Sequence, residues 1–174
     1  MNMKSHALLD NALPPADMRQ LVLDTAVVRA KQEHDLLKRE LQDIYDLACT
    51  VRSDMNVPRL NREIRELNEN VKRFMAEWNI HVQWEENELF PYASWYLGGE
   101  PDLFALMEQE YELAEQFIRA FLHTLDRAVI PVPHDEAYRM ASYLLQAYAV
   151  LKNRFVEEEE IMSALTDRSN RFDF

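Results

Sequence analysis

Glycine is nearly absent from this chain: two residues in 174, Gly98 and Gly99, standing side by side. The seven prolines fall at 14, 15, 58, 91, 101, 131 and 133. Both residue types punctuate structure, so long stretches run without a breaker, and a few long helices are expected with little or no sheet. The single cysteine, Cys49, excludes an internal disulfide and suits a reducing compartment. No apolar run approaches the ~20 residues of a membrane span. The N-terminus, MNMKSHALLDNALPP, has no continuous apolar core of signal-peptide type. Positive charge is scarce: 19 Lys and Arg against 31 Asp and Glu leave a net charge of −12. Such a chain is repelled by phosphate backbones and anionic lipid, and no basic stripe offsets this. The expectation is a soluble cytoplasmic protein that meets neither nucleic acid nor membrane. Its length suits one domain with room for a core.

Four helical blocks carry apolar stripes at steps of three and four residues. The first, from about Pro15 to Val51, reads Leu23, Val27, Ala30, His34, Leu37, Leu41, Ile44, Ala48. The second begins near Pro58, a good first-turn residue, and reads Leu60, Ile64, Leu67, Val71, Phe74, Trp78, His81, Glu85, Leu89. The third follows Gly98-Gly99 and Pro101: Phe104, Met107, Tyr111, Ala114, Ile118, Phe121, Leu125. The segment IPVPHDE (130–136) reads as a turn with Asp135 as N-cap. The fourth block is Met140, Leu144, Ala147, Leu151, Arg154, Glu158, Ile161, Leu165. Short connections between four amphipathic helices predict an all-α, up-down-up-down four-helix bundle over 15–167 with an N-terminal helical extension. The two middle helices are expected to be longer than the core needs. Residues 1–14 and 168–174 read as tails.

Charged residues interrupt these stripes at one level. His81 and Glu85 are four apart, so they share a helix face, and that face is the apolar one. His34, Arg154 and Glu158 lie on inward stripes too. The halves also resemble one another: QEHDL (32–36) matches QEYEL (109–113), and HVQWEENELF (81–90) overlays RFVEEEEIMS (154–163). The overlay pairs His34 with Tyr111, His81 with Arg154 and Glu85 with Glu158. Histidines and carboxylates converging from the helices of a bundle are how such folds build metal sites.

EHDLLKREL around His34 and HVQWEENELFP (81–91) resemble the hemerythrin-like, or HHE cation-binding, domain family. The resemblance implies a four-helix bundle around a carboxylate-bridged di-iron centre. The family's ligands are one histidine on the first helix, a histidine and glutamate on the second, one histidine on the third, and a histidine and glutamate on the fourth. Carried over by position, His34, His81, Glu85 and Glu158 match. The third-helix histidine is replaced by Tyr111 and the fourth-helix histidine by Arg154. Tyrosine ligates as phenolate, whereas arginine stays protonated and does not ligate. Arg154 as a bidentate partner of Glu158 would neutralise the carboxylates in place of iron. At an effective dielectric of 20, a divalent ion ~5 Å from its charge meets roughly 6–7 kcal/mol of repulsion.

Two functions follow. One is a bundle with a degenerate di-iron site, without iron, acting as a non-enzymatic regulatory or interaction protein. The other keeps one or two iron ions on His34, His81, Glu85, Glu158 and Tyr111, to bind or sense oxygen or nitric oxide or to handle iron. An oxidative enzyme is a third, weaker reading. No nucleophile–base pair and no phosphate-cradling glycine loop is visible. The aromatic cluster Trp84, Phe90, Tyr92, Trp95, Tyr96 reads as packing at the bundle end and as an acid-flanked contact surface for a protein partner. Glu157, Glu159 and Glu160 read as a solvated face. His123 and His134 read as surface residues.

Overall fold

The computed structural model describes residues 16–96 and 101–169, so the Gly98-Gly99 pair and nearly all of both expected tails lie outside the described residues. Five α-helices form four rods: α1 Ala16–Ser53, α2 Val57–Trp84, α3 Phe90–Tyr96, α4 Pro101–Arg127 and α5 His134–Ser169. A single π-helical turn, Glu85–Leu89, joins α2 to α3 without a break in helical backbone. No strand occurs among the described residues. Nor does any described helix have the length and apolarity to cross a membrane.

The rods begin and end where the local chemistry dictates. Asn56 caps α2 by accepting the Arg59 N–H at 3.0 Å, and Pro58 occupies the first turn, where its missing N–H is no loss. Asp54, at the α1–α2 corner, accepts from the Asn56 N–H and from the Arg59 Nε and Nη2. Two reciprocal hydrogen bonds between the Asn61 amide and the backbone of Val132 tie the α4–α5 connection to α2. Asp135, expected as an N-cap, lies inside the first turn of α5 instead, where its charge meets the positive end of the helix dipole. The Pro133 carbonyl takes the Ala137 N–H at 3.0 Å, so the helix starts earlier than the cap signal suggests. His134 is not a free surface residue: its Nδ1 bonds the Asp54 carbonyl at 2.9 Å. The two middle rods split on the expected length. The second, 28 residues of α2 continued by 5 in the π turn and 7 in α3, is the longest of the four, whereas α4 with 27 is the shortest, and α1 and α5 have 38 and 36.

α5 packs along both α1 and α4, and α1 along α2. α2 and α4 meet through large side chains, with Trp78 edge-on to Tyr111 at 4.8 Å between ring centroids. The apolar core comes in two parts. The larger runs from Val51, Leu60 and Met140 at one end to Leu37, Trp78 and Phe155. The smaller gathers Leu23, Val27 and Ala30 from the N-terminal extension of α1 against Trp84, Leu89 and Met162. Between them lies a buried polar layer: His34, His81, Glu85, Arg154 and Glu158, each at most 2% exposed.

Of the aromatic cluster, Trp84 is buried under Arg29, and Phe90 stacks on Phe104 at 4.7 Å. Trp95 is 47% exposed and carries the Arg19 guanidinium at 4.4 Å. The Tyr96 side chain lies outside the described residues.

Candidate metal centre

Each side chain of the polar layer is aimed inward by its helix. His34 follows Ala30 and precedes Leu37 on the buried stripe of α1, and Glu158 stands one turn before Met162 on α5. On α2 the buried positions His81, Glu85, Leu89 and Ala93 recur every fourth residue. An α-helix advances about 40° at each such step, so the face would soon turn away. The π turn, closed by the Phe90 N–H on the Glu85 carbonyl, winds less per residue and takes that drift back. Glu85 and Leu89 thereby stay on the interior face that His81 began.

The four ligand-type residues meet at one point. His34 Nε2 stands 3.0 Å from His81 Nε2, 3.4 Å from Glu85 Oε1 and 3.3 Å from Glu158 Oε1. His81 Nε2 contacts Glu85 Oε1 directly. One ligating atom from each of the four lies within 4.8 Å of every other, and this is the one such group found among the described residues. Donors bound to a common cation at about 2.1 Å stand about 3.0 Å apart at right angles and about 3.4 Å apart in a tetrahedron. The three separations measured from His34 Nε2 fall in that range. In the metal-free layer one of the two facing Nε2 atoms can donate to the other, and with both deprotonated the same two atoms are a ligand pair. His81 Nδ1 lies 2.6 Å from Glu33 Oε2, which fixes the proton on Nδ1 and leaves Nε2 with a lone pair. Glu158 Oε1 has no hydrogen-bond partner. His34, His81, Glu85 and Glu158 therefore fit one cation.

Without a cation the layer neutralises itself by protonation. Burial pushes His34 down, but the Glu158 and Glu85 carboxylates more than reverse this and bring it up to about 9. His81 is raised in the same way, against its burial, by Glu85 and Glu33. Glu85 is lowered: burial opposes its charge, but contacts with His34 and His81 outweigh burial. Glu158 is pushed up to about 7, first by burial and then by the charge of Glu85.

Tyr111 and Arg154, where the resemblance implies histidines, meet the layer differently. Tyr111 places its hydroxyl 3.0 Å from both Glu85 Oε2 and Glu158 Oε2. Burial and the two carboxylates push its ionisation well above the usual phenol value. Arg154 is 1% exposed but does not form a fork with Glu158, since its Nη2 stays 3.9 Å from Glu158 Oε2. Its Nη1 turns instead to Glu157 at 3.4 Å and Glu110 at 3.7 Å. Three carboxylates share one guanidinium, so none holds it in bidentate geometry.

Residues 25–166 match the hemerythrin HHE cation binding domain. The chain belongs to this family. No curated protein and no solved structure matches it. Within this family member, His34, His81, Glu85 and Glu158 come together, Tyr111 joins them through hydrogen bonds, and His123 stays exposed on α4. Sequence reasoning missed Glu33, which holds the outer nitrogen of His81. It directly precedes His34 and shares the α1–α2 seam, and that adjacency was the available signal. It also missed Glu110 beside Arg154. Glu157 and Glu159, read as a solvated face, pair with Arg154 and Lys38.

Proposed function

We propose that this protein is a non-enzymatic, cation-dependent regulatory bundle, with His34, His81, Glu85 and Glu158 as the ligands of a first-row transition metal. The observation that carries the reading is the convergence of His81 Nε2, Glu85 Oε1 and Glu158 Oε1 at 3.0–3.4 Å from His34 Nε2 within a buried layer. Two nitrogens and two oxygens suit iron, manganese or zinc. Iron is the first candidate because the family implies it; when bound, it would supply redox change and affinity for small diatomic ligands. The chain's own residues do the rest. Glu33 orients His81, the π turn holds Glu85 inward, and the two apolar clusters exclude water. Two hollows touch the layer or its Tyr111 side. One of about 180 Å3, lined by Glu33, Leu36, Glu77 and Ile80, touches His81 from the α1–α2 side. The other, about 310 Å3, is lined by Glu86, Phe90, Phe104 and Glu108 and touches Tyr111. The aromatic end at Tyr92 and Trp95 is the surface this reading offers a protein partner.

The metal-free alternative rests on the placement of His34 Nε2 at 3.4 Å from Glu85 and 3.3 Å from Glu158, where a protonated imidazole offsets part of their charge. Elemental analysis of protein from iron-supplemented cells separates the two, together with thermal melts after adding Fe(II), Mn(II) or Zn(II). A cation retained by the native protein and lost from His81→Ala supports the proposal; a hundredfold excess over Kd would stabilise it by about 2.7 kcal/mol. No retained cation and no change in melting under any of the three metals would leave the metal-free reading.

A further inference from the structure

We infer that the layer takes a single cation, because Tyr111 and Arg154 fill the position a second one would need. This rests on the cation reading above and concerns only the count. The two carboxylates present their Oε1 atoms to the histidines, and both Oε2 atoms point away, toward α4 and α5. A second cation bridged by the same carboxylates would have to sit against those Oε2 atoms. That wedge already holds the Tyr111 hydroxyl, 3.0 Å from each. Behind it lies the Arg154 guanidinium, with Cζ 5.5 Å from the Tyr111 ring centroid and Nη2 3.9 Å from Glu158 Oε2. Arginine does not release its proton, so its charge persists beside the wedge and repels any further cation.

The donor supply agrees with the count. Among the described residues no histidine or cysteine remains for this side: His123 is exposed, His134 is bonded to Asp54 at the far end, and Cys49 sits three turns beyond Leu37 on α1. The remaining carboxylates here, Glu110 and Glu157, face the guanidinium. One divalent ion also matches the two negative charges that Glu85 and Glu158 supply.

The test is a titration of the intact chain with Fe(II) under anaerobic conditions, with bound metal counted by elemental analysis and iron examined by electron paramagnetic resonance after oxidation. The expected result is one equivalent per chain and an isolated high-spin ferric signal. In the Tyr111→His/Arg154→His double variant the expected ratio is two, with that signal lost to spin coupling. Two equivalents in the native protein would overturn the inference while leaving the cation reading in place. No binding in the native protein would overturn the cation reading itself. If the double variant folds and still takes one, Tyr111 and Arg154 are not what limits the count, and the inference fails. The native ratio decides the count even if the double variant does not fold.

Discussion

Glu40 and Glu77 bring two carboxyl groups together on the α1–α2 seam, and Glu40→Gln should make the protein more stable at alkaline pH while leaving it unchanged in acid. Burial raises Glu40 first, and the contact with Glu77 adds to it, bringing the group up to about 7 from 4.5. Arg73 opposes the shift from 3.8 Å. The Oε2 atoms of both glutamates lack hydrogen-bond partners. Between pH 4.5 and 7 the folded chain therefore holds a proton that the unfolded chain has released. Stability must fall as pH rises through that window and stay lower above it; below it both states are protonated and nothing is lost. At 1.36 kcal/mol per unit, the ceiling is about 3 kcal/mol. The Glu40 side chain keeps 16% of its surface in water, and the exposed Arg73 partner is worth less than about 1 kcal/mol, so a net gain of about 1–2 kcal/mol is expected. Glutamine preserves the shape, carries no charge and donates an N–H to Glu77. The measurement is urea unfolding of both proteins at several pH values from 4.5 to 8. Stability curves that run parallel across the range, or a variant weaker than the native protein at pH 8, would refute the argument.

Two further outcomes follow. Glu33→Ala removes the anchor on His81 Nδ1 and should weaken cation affinity about 10–100-fold with little change in the melt of metal-free protein, read by competition with a chromogenic chelator. Leu67→Ala empties a fully buried position midway along α2 and should lower unfolding free energy by about 2–5 kcal/mol without altering metal stoichiometry, checked by denaturation and elemental analysis.

Much of the fold is legible because helical periodicity is a local property. Every stripe residue named on α1 and α2 is buried, from Leu23 to Ala48 and from Leu60 to Leu89. His81 and Glu85 could be placed inward for the same reason, since four residues on a helix point one way. The first turn of α5 was less legible. Asp135 carries a cap signal, yet Pro133 and His134 begin the helix two residues earlier, and helix starts compete over distances of one or two residues. His134 gave no hint of its bond to Asp54, because that partner lies 80 residues away.

The order of residues in this chain determined, unaided, that it forms long amphipathic rods and that its ionisable side chains interrupt the apolar faces at one level. These follow from periodicity and residue chemistry, which need no knowledge of neighbours. Only the packed bundle decided which way each charge turns. Arg154 spreads over Glu157, Glu110 and Glu158 instead of forking onto one carboxylate, Tyr111 reaches both Oε2 atoms, and a π turn keeps Glu85 and Leu89 facing in. Those choices depend on distances of a few ångströms between helices far apart in sequence, where a charge settles according to every partner within reach.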